Sequence, residues 1–341
     1  MRVLAADVGG TKTWLAVYEV SEPSAGTARW EAPSCRALRD EKLPSAQCGS
    51  LEELTRAFLG DERVHHAAFG LAGPVEGDTA KLTNLPWRVE SGALRDALGA
   101  QSVTLINDFH AMALGIELVA PEHRVVLQRG ETDPHALGAL LGAGTGLGEA
   151  LFIGTETDAD GRRVFSTEGG HADFGPRDDL EIDLLRFLRA RHGRVSTERV
   201  VSGQGIADLY DFVVTRGHAE TTDAVRDAIE GGADPGATIG EAALAERDAA
   251  CVMAVDRFVS LYGAEAGNVA LRSLPGAGLF VGGGVAAKLI ERIKAGGFIE
   301  AMLDKGRMRS VLERFEVVVV TDPKAGLLGA RQAAIRAAAR T

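Results

Sequence analysis

The chain has 341 residues, 45% of them hydrophobic and 25% charged, with a formal net charge of −11. That length exceeds what one hydrophobic core usually serves, so two domains are expected, and the composition is that of a folded globular protein rather than a disordered one. The acidic balance argues against a general nucleic-acid or anionic-membrane surface, and no run reaches the roughly 18 apolar residues of a membrane span.

Met1-Arg2-Val3-Leu4 enters a strand at once, which predicts no signal peptide and a cytoplasmic protein. Strands are predicted near Val3–Ala6 and Trp14–Val20, joined by Asp7-Val8-Gly9-Gly10-Thr11 as the tip of a β-hairpin. A polar connection holding Pro23, Ser24, Gly26, Pro33 and Ser34 follows, then a strand near Ala37–Leu43 and a helix over Leu51–Leu59, with Leu51, Leu54, Phe58 and Leu59 on one face. Ala67–Leu71 and Val103–Ile106 read as strands, and Ala111–Leu118 as a helix. A second hairpin is predicted around Gly142-Ala143-Gly144-Thr145-Gly146, between the apolar runs ending at Leu141 and starting at Leu147. Beyond it, Leu180–Arg191 has helical spacing, residues 216–238 read as a polar surface excursion around one short amphipathic piece, and one long helix should cover Ile239–Tyr262. Leu279–Val281 is a strand running into Gly282-Gly283-Gly284 and a helix Val285–Ile293, and Ala325–Thr341 is an alanine-rich helix. Alternating strands and helices make this an α/β protein. The cysteines, Cys35, Cys48 and Cys251, have no CxxC spacing, so a reducing compartment is expected and no zinc.

The two hairpin tips read as phosphate loops. Glycine allows positive φ and removes the Cβ, so consecutive N–H groups can converge on an anion. Neither tip opens directly into a helix, which argues against a P-loop and the dinucleotide fingerprint. Asp7 ends a buried strand, where a carboxylate is costly without a cation or donors, and its natural partner beside a phosphate loop is Mg²⁺ held through water. Asn107 and Asp108 close the strand Val103–Ile106. Either is a candidate helix cap; in the functional reading Asp108 takes a proton from a substrate hydroxyl while Asn107 orients that substrate. Phosphoryl transfer asks little of such a base, so an aspartate near its ordinary pKa of about 3.9 suffices. Glu168, His171 and Glu198, in Glu168-Gly169-Gly170-His171 and Ser196-Thr197-Glu198-Arg199, supply the acceptors and donors that a polyol needs. A His-Glu-Glu-Asp metal centre is the competing reading and lacks any helix-face ligand spacing.

In the order DVGGTK, LAGPV, LTNLPW, INDF, LGAGTGLGEA, EGGHADF, STERVVSGQG, LFVGGGV and AGLLGA, the chain resembles the bacterial glucokinases from Asp7 to about Gly329. The resemblance implies a two-domain actin-like ATPase (ribonuclease H-like) fold with nucleotide and sugar in the interdomain cleft. It implies a small domain of residues 1–117 plus 325–341 and a large domain of residues 118–324, which close around the substrates. It implies transfer of the γ-phosphoryl group of ATP to the 6-hydroxyl of glucose, with ATP and Mg²⁺ as cofactors and a homodimer as the assembly. By resemblance Asp108 is the catalytic base and Asn107, Asp108, Glu168, His171 and Glu198 bind the sugar, with Asn84 of Thr83-Asn84-Leu85 beside it. Asp7, Gly9, Gly10 and Thr11 form the first phosphate loop, with Asp7 on the Mg²⁺ side. Gly144, Thr145 and Gly146 form the second, and Gly282, Gly283 and Gly284 lie on the adenosine side. The neighbouring ROK group carries a cysteine-rich zinc motif after the histidine. Here ADFGPRDDLEIDLLRFL has no cysteine, which places the chain with the zinc-free enzymes. A kinase for another hexose, one using polyphosphate or ADP, and a silent sugar sensor remain alternatives.

Overall fold

The computed structural model describes residues 1–21, 34–82, 85–154 and 162–339. The expected polar connection around Pro23 to Pro33, and Asn84, lie outside them. Packing divides the chain into two units: Met1–Pro121 with Gly154–Ser166 and Asp322–Thr341, and Glu122–Ile153 with Thr167–Thr321.

The first unit is built on β1 (Arg2–Val8), β2 (Lys12–Val20), β3 (Cys35–Pro44), β4 (His66–Leu71) and, after a small sheet of β5 (Val75–Glu76), β6 (Thr79–Lys81) and β7 (Arg88–Glu90), β8 (Ser102–Asn107). The main sheet runs β3-β2-β1-β4-β8. The hairpin β1–β2 is antiparallel, as the sequence predicts, and β4 and β8 join in parallel. Period-two alternation in β1 covers both faces. Leu4, Ala6 and Val8 pack with Leu51, Leu54 and Phe58 of the helix Leu51–Leu59, which Ser50 caps by accepting from Glu53 N–H. Val3 and Ala5 pack with Leu114, Leu327 and Ala330 on the opposite face.

That opposite face depends on a close helix crossing. On the helix Ala325–Ala338, a Cβ at Gly329 would lie 1.6 Å from the Ala111 carbonyl oxygen, and a Cβ at Gly115 would lie 1.9 Å from that of Ala325. Both obstacles are backbone, so the helices cannot absorb a side chain without separating. Gly329→Val is therefore expected to cost about 3 kcal/mol, the upper part of the overpacking range. Its thermal midpoint should fall by roughly 6–12 °C at a few degrees per kcal/mol. A calorimetric shift under about 2 °C, well below that expectation, would contradict this packing.

The second unit repeats the pattern. Its sheet places β9 (Arg124–Gln128), β10 (Gly138–Ala143), β11 (Leu147–Ile153), β13 (Leu279–Gly282) and β14 (Val317–Val320) in the order β11-β10-β13-β14-β9, with β12 (Arg163–Thr167) following β11 in the chain. Again an antiparallel hairpin, β10–β11, is extended by parallel strands, β13 and then β14. One large core fills this unit, centred on the helix Ala249–Ser273, with Tyr262, Phe258 and Phe212 among its fully buried side chains.

Several predicted elements differ in detail. The long helix over Ile239–Tyr262 is two helices, Pro235–Leu244 and Ala249–Ser273. Asp248, accepting from Cys251 N–H, caps the second, and Glu246 between them has φ 52°. Val285–Ile293 likewise divides into Gly284–Lys288 and Ile290–Lys294. Ala111–Leu118 starts earlier, as the helix Asp108–Gly115, and ends in a 3₁₀ turn. The short amphipathic piece expected within 216–238 is the helix Asp223–Glu230, with Val225 buried, and the excursion also holds Asp234, which caps Pro235–Leu244.

Candidate active site

In the first unit the parallel strands β1, β4 and β8 end together: Asp7 pairs with Gly70, and Leu71 with Asn107. Strand ends of this kind are where α/β sheets place ligands. Asn107 is the helix cap, its Oδ1 accepting from Phe109 N–H at 3.0 Å and His110 N–H at 3.3 Å, while its Nδ2 donates to the Gly73 carbonyl. Asp108 is thereby released from capping, and Phe109 N–H donates to its Oδ1 at 2.9 Å. Gly70 allows this closeness, since a Cβ there would meet Ala111 Cβ at 2.9 Å.

Asp7 and Asp108 stand close enough that the charge of one acts on the other. Burial pushes Asp7 up to about 6, with Lys42 opposing. Burial and then the Asp7 charge push Asp108 up to about 7, against the hydrogen bonds it accepts. The expectation that Asp108 keeps an ordinary carboxylate pKa is corrected here: the sequence marks the residue but not its acidic neighbour across two strands. Gly326 of the C-terminal helix also backs the Asp7 carboxylate, a Cβ there lying 3.1 Å from Oδ2. Gly9 and Gly10 form the tip of the first hairpin with Thr11. Ser45 Oγ donates to the Gly9 carbonyl at 2.7 Å, and Thr11 O accepts from Ser45 N–H.

In the second unit Glu168, His171 and Glu198 come together. His171 Nδ1 lies 3.7 Å from Glu198 Oε1 and its Nε2 lies 3.8 Å from Glu168 Oε2. Glu198 also ties this group to the second hairpin tip, its Oε2 accepting from Leu147 N–H at 3.0 Å. A Cβ on Gly146 would lie 2.3 Å from the same oxygen. The sequence motifs therefore meet through one carboxylate.

Gly144 and Thr145 line a cavity of about 610 Å³. Its walls include Ile206, Leu244, Val285 and Leu289, with Gln204, Asp234, Glu241 and Lys288 as polar groups. The helices Gly203–Thr215 and Pro235–Leu244 start at its edge, where helix N-termini favour an anion. Gly203 N–H donates to the Gly144 carbonyl at 2.8 Å, joining loop to helix start. Gly284 also lines the cavity. Gly282 ends β13 opposite Gly142. At Gly283 φ is +87°, and a Cβ would lie 2.5 Å from the Ala143 carbonyl oxygen, so both conformation and space demand glycine there. At the expected phosphate loops the case is different. Gly9, Gly10, Gly144 and Gly146 are not among the residues of positive φ, so the backbone at these tips does not itself demand glycine.

Residues 4–337 match the family model Glucokinase. The chain belongs to the glucokinase family. A glucokinase from Synechocystis sp. is 40% identical over 345 residues, covering 96% of each chain. Among solved structures, the glucokinase from an Antarctic psychrotroph superposes with a TM-score of 0.78 at 30% identity, covering 98% of both chains. A ROK family glucokinase from Streptomyces griseus, solved with glucose and AMPPNP, shares the fold with a TM-score of 0.65 at 22% identity, covering 98% of this chain and all of that one. The fold is the actin-like ATPase fold of the glucokinases and ROK sugar kinases.

Several residues around these motifs of the family carry no sequence signal that points to a site. Tyr262, deep in a helix, accepts from Ala143 N–H at 2.9 Å and donates to the Gly282 carbonyl at 3.3 Å, joining the ends of β10 and β13. Asp234 to Ala237 line the cavity although their segment reads as a surface excursion. Ser202 caps Gly203–Thr215 at the cavity edge by accepting from Gly205 N–H.

Proposed function

We propose that this chain carries out the reaction of its family, transferring the γ-phosphoryl group of ATP to the 6-hydroxyl of glucose. Asp108 takes the hydroxyl proton, and Asn107, Glu168, His171 and Glu198 match the sugar's hydroxyls, with Asn84 assigned to the sugar by motif alone. Gly9 to Thr11 and Gly144 to Gly146 approach phosphates, and the cavity beside Gly144 takes the nucleoside, with Gly282 to Gly284 at its rim. The observation that carries this reading is the Glu198 carboxylate, which reaches both His171 and the second hairpin tip. The Streptomyces griseus relative, solved with glucose and AMPPNP, supports the choice of ligands.

Asp7 suits Mg²⁺ held through water: it is a hard oxygen donor whose burial raises its pKa and whose charge acts on Asp108, and a cation relieves both costs. Bound there, Mg²⁺ would neutralise phosphate charge as the phosphoryl group moves. This chain's own part is to place Asp108 against the hydroxyl and to hold the sugar by its polar rim. Among the described residues no helix is long and apolar enough to cross a membrane. A cytoplasmic homodimer in glycolysis is the setting that the family reading favours, and sedimentation of the purified protein tests the dimer.

Polar readout of this kind discriminates strongly, because a missing or misplaced hydroxyl leaves a protein group unpaired. Glucose should therefore exceed fructose and N-acetylglucosamine by well over about tenfold in kcat/KM. Equal values for the three sugars would remove the roles given to Glu168, His171 and Glu198. The nucleotide side has its own test. A Cβ at Gly144 meets nothing within 4 Å in the folded chain, so Gly144→Val should fold normally. It is expected to raise the KM for ATP by about tenfold or more through lost close approach, with glucose affinity unchanged. Calorimetric titration showing a selective loss of glucose binding instead would put the loop on the wrong ligand.

A further inference from the structure

The turn that carries Glu168 and His171 lies flat on β11. A Cβ on Gly170 would fall 2.2 Å from the Leu147 carbonyl oxygen, and one on Gly169 would fall 1.9 Å from Glu149 Oε2. The three nearest atoms to that Gly169 position all belong to the Glu149 side chain. Gly169 has no positive φ, so its backbone alone does not demand glycine; the Glu149 carboxyl does.

Glu149 is an unusual choice for this place. It is 6% exposed, its Oε1 has no hydrogen-bond partner among the described residues, and an unpaired buried carboxyl is costly. It faces a second acid, Glu265, also buried, on the helix Ala249–Ser273. Glu265 is fixed by Arg272, at 3.1 Å, and by Asn268, at 2.9 Å, and Asn268 in turn accepts from Lys305 Nζ at 2.8 Å. Tyr262 on the same helix is the remaining titratable group acted on by Glu149, and its hydroxyl is engaged at Ala143. Burial and Glu265 push Glu149 up to about 7, with Arg272 opposing, so a protonated Glu149 can donate to Glu265 and the two acids can face each other. An apolar residue would fill this space at less cost.

We propose that Glu149 is a positioning residue for sugar binding: its carboxyl, fixed by the Glu265–Arg272–Asn268 network, is the surface on which Gly169 rests, and it sets where Glu168 and His171 stand. This rests on the reading of the 168–171 turn as a sugar ligand. Glu149 touches no substrate and acts through the turn.

The test is a mutant cycle read as KM for glucose and KM for ATP. Gly169→Ala should raise the glucose KM by roughly tenfold or more, leaving the ATP KM within about twofold, because the new methyl collides only with Glu149. Glu149→Ala should raise the glucose KM severalfold, and Glu149→Gln, which keeps the shape, should restore it. In the double variant Gly169→Ala/Glu149→Ala the added methyl should cost less than about threefold over Glu149→Ala, a non-additivity expected only of residues in contact. If Gly169→Ala does not fold alone, recovery of folded protein in the double variant supports the contact, and continued misfolding overturns it. Equal damage from Gly169→Ala with and without Glu149, no damage at all, or equal shifts in both KM values would overturn the proposal. Glu168→Gln separates the two levels. A raised glucose KM there beside an innocuous Gly169→Ala overturns the positioning role alone, whereas an unchanged glucose KM in Glu168→Gln overturns the sugar turn and the proposal with it.

Discussion

Asp108→Asn is expected to lower kcat by roughly 10²–10⁴-fold, the span for loss of a positioned general base, while glucose affinity changes little. The structure makes this a clean substitution. Asn107, not Asp108, caps the helix, and an amide oxygen at position 108 can still accept from Phe109 N–H. The asparagine cannot take the hydroxyl proton. It also removes the repulsion from Asp7, so stability should hold or rise.

The pH dependence follows from the same pair. With Asp108 raised to about 7, the base is progressively protonated as the pH falls through neutrality, and kcat/KM should decline below about pH 7. For stability the sign is opposite to that of a salt-bridged carboxylate. Between 3.8 and about 7 the folded state holds a proton that the unfolded state has released, so stability falls as the pH rises through that window. Asp108→Asn should flatten that slope, measured by urea unfolding at several pH values. A variant kcat within about threefold of the parent would remove Asp108 as the base.

Glu198 carries the second large effect, and two substitutions there separate its two contacts. Glu198→Ala leaves Leu147 N–H without its acceptor and His171 Nδ1 without the facing Glu198 carboxylate, so the KM for glucose and the KM for ATP should both rise. A charge-assisted hydrogen bond contributes about 1.5–3 kcal/mol, which corresponds to a loss of roughly 10- to 150-fold in glucose kcat/KM. Glu198→Gln keeps an oxygen for Leu147 N–H but loses the charge. The ATP KM should then stay near the parent while the glucose KM remains raised. Steady-state kinetics with each substrate varied decides this, and a Glu198→Gln variant impaired only toward ATP would contradict the assignment.

Much of the fold was legible because both hairpins advertise themselves twice, by apolar runs and by glycine tips. The helix Leu51–Leu59 carries its apolar stripe in plain view. Where the sequence misled, a local signal was outweighed by tertiary context. The run from Ile239 to Tyr262 keeps helical spacing, yet Asp248 uses its side chain to start a new helix within it. Residues 216–238 look like solvent-facing chain because their role at the cavity is played by main chain and by Asp234, not by an apolar stripe. The site residues themselves were readable as types and motifs. Their energetics were not: nothing in Ile106-Asn107-Asp108-Phe109 says that burial, and then the charge of Asp7, holds a proton on Asp108 close to neutrality. Glu149 is hidden for the same reason, since one charged residue in an apolar strand reads as an outward-facing position until Gly169 and Glu265 are seen against it.

The central claim is that this chain makes glucose 6-phosphate from glucose and ATP with Asp108 as the base. The direct measurement is coupled detection of glucose 6-phosphate from the purified protein with glucose, ATP and Mg²⁺, run beside Asp108→Asn. Sustained turnover by the parent, with the variant slowed at least about a hundredfold, is the predicted result. Glucose binding by both proteins without glucose 6-phosphate from either would contradict it and leave a sugar-binding protein in place of a kinase.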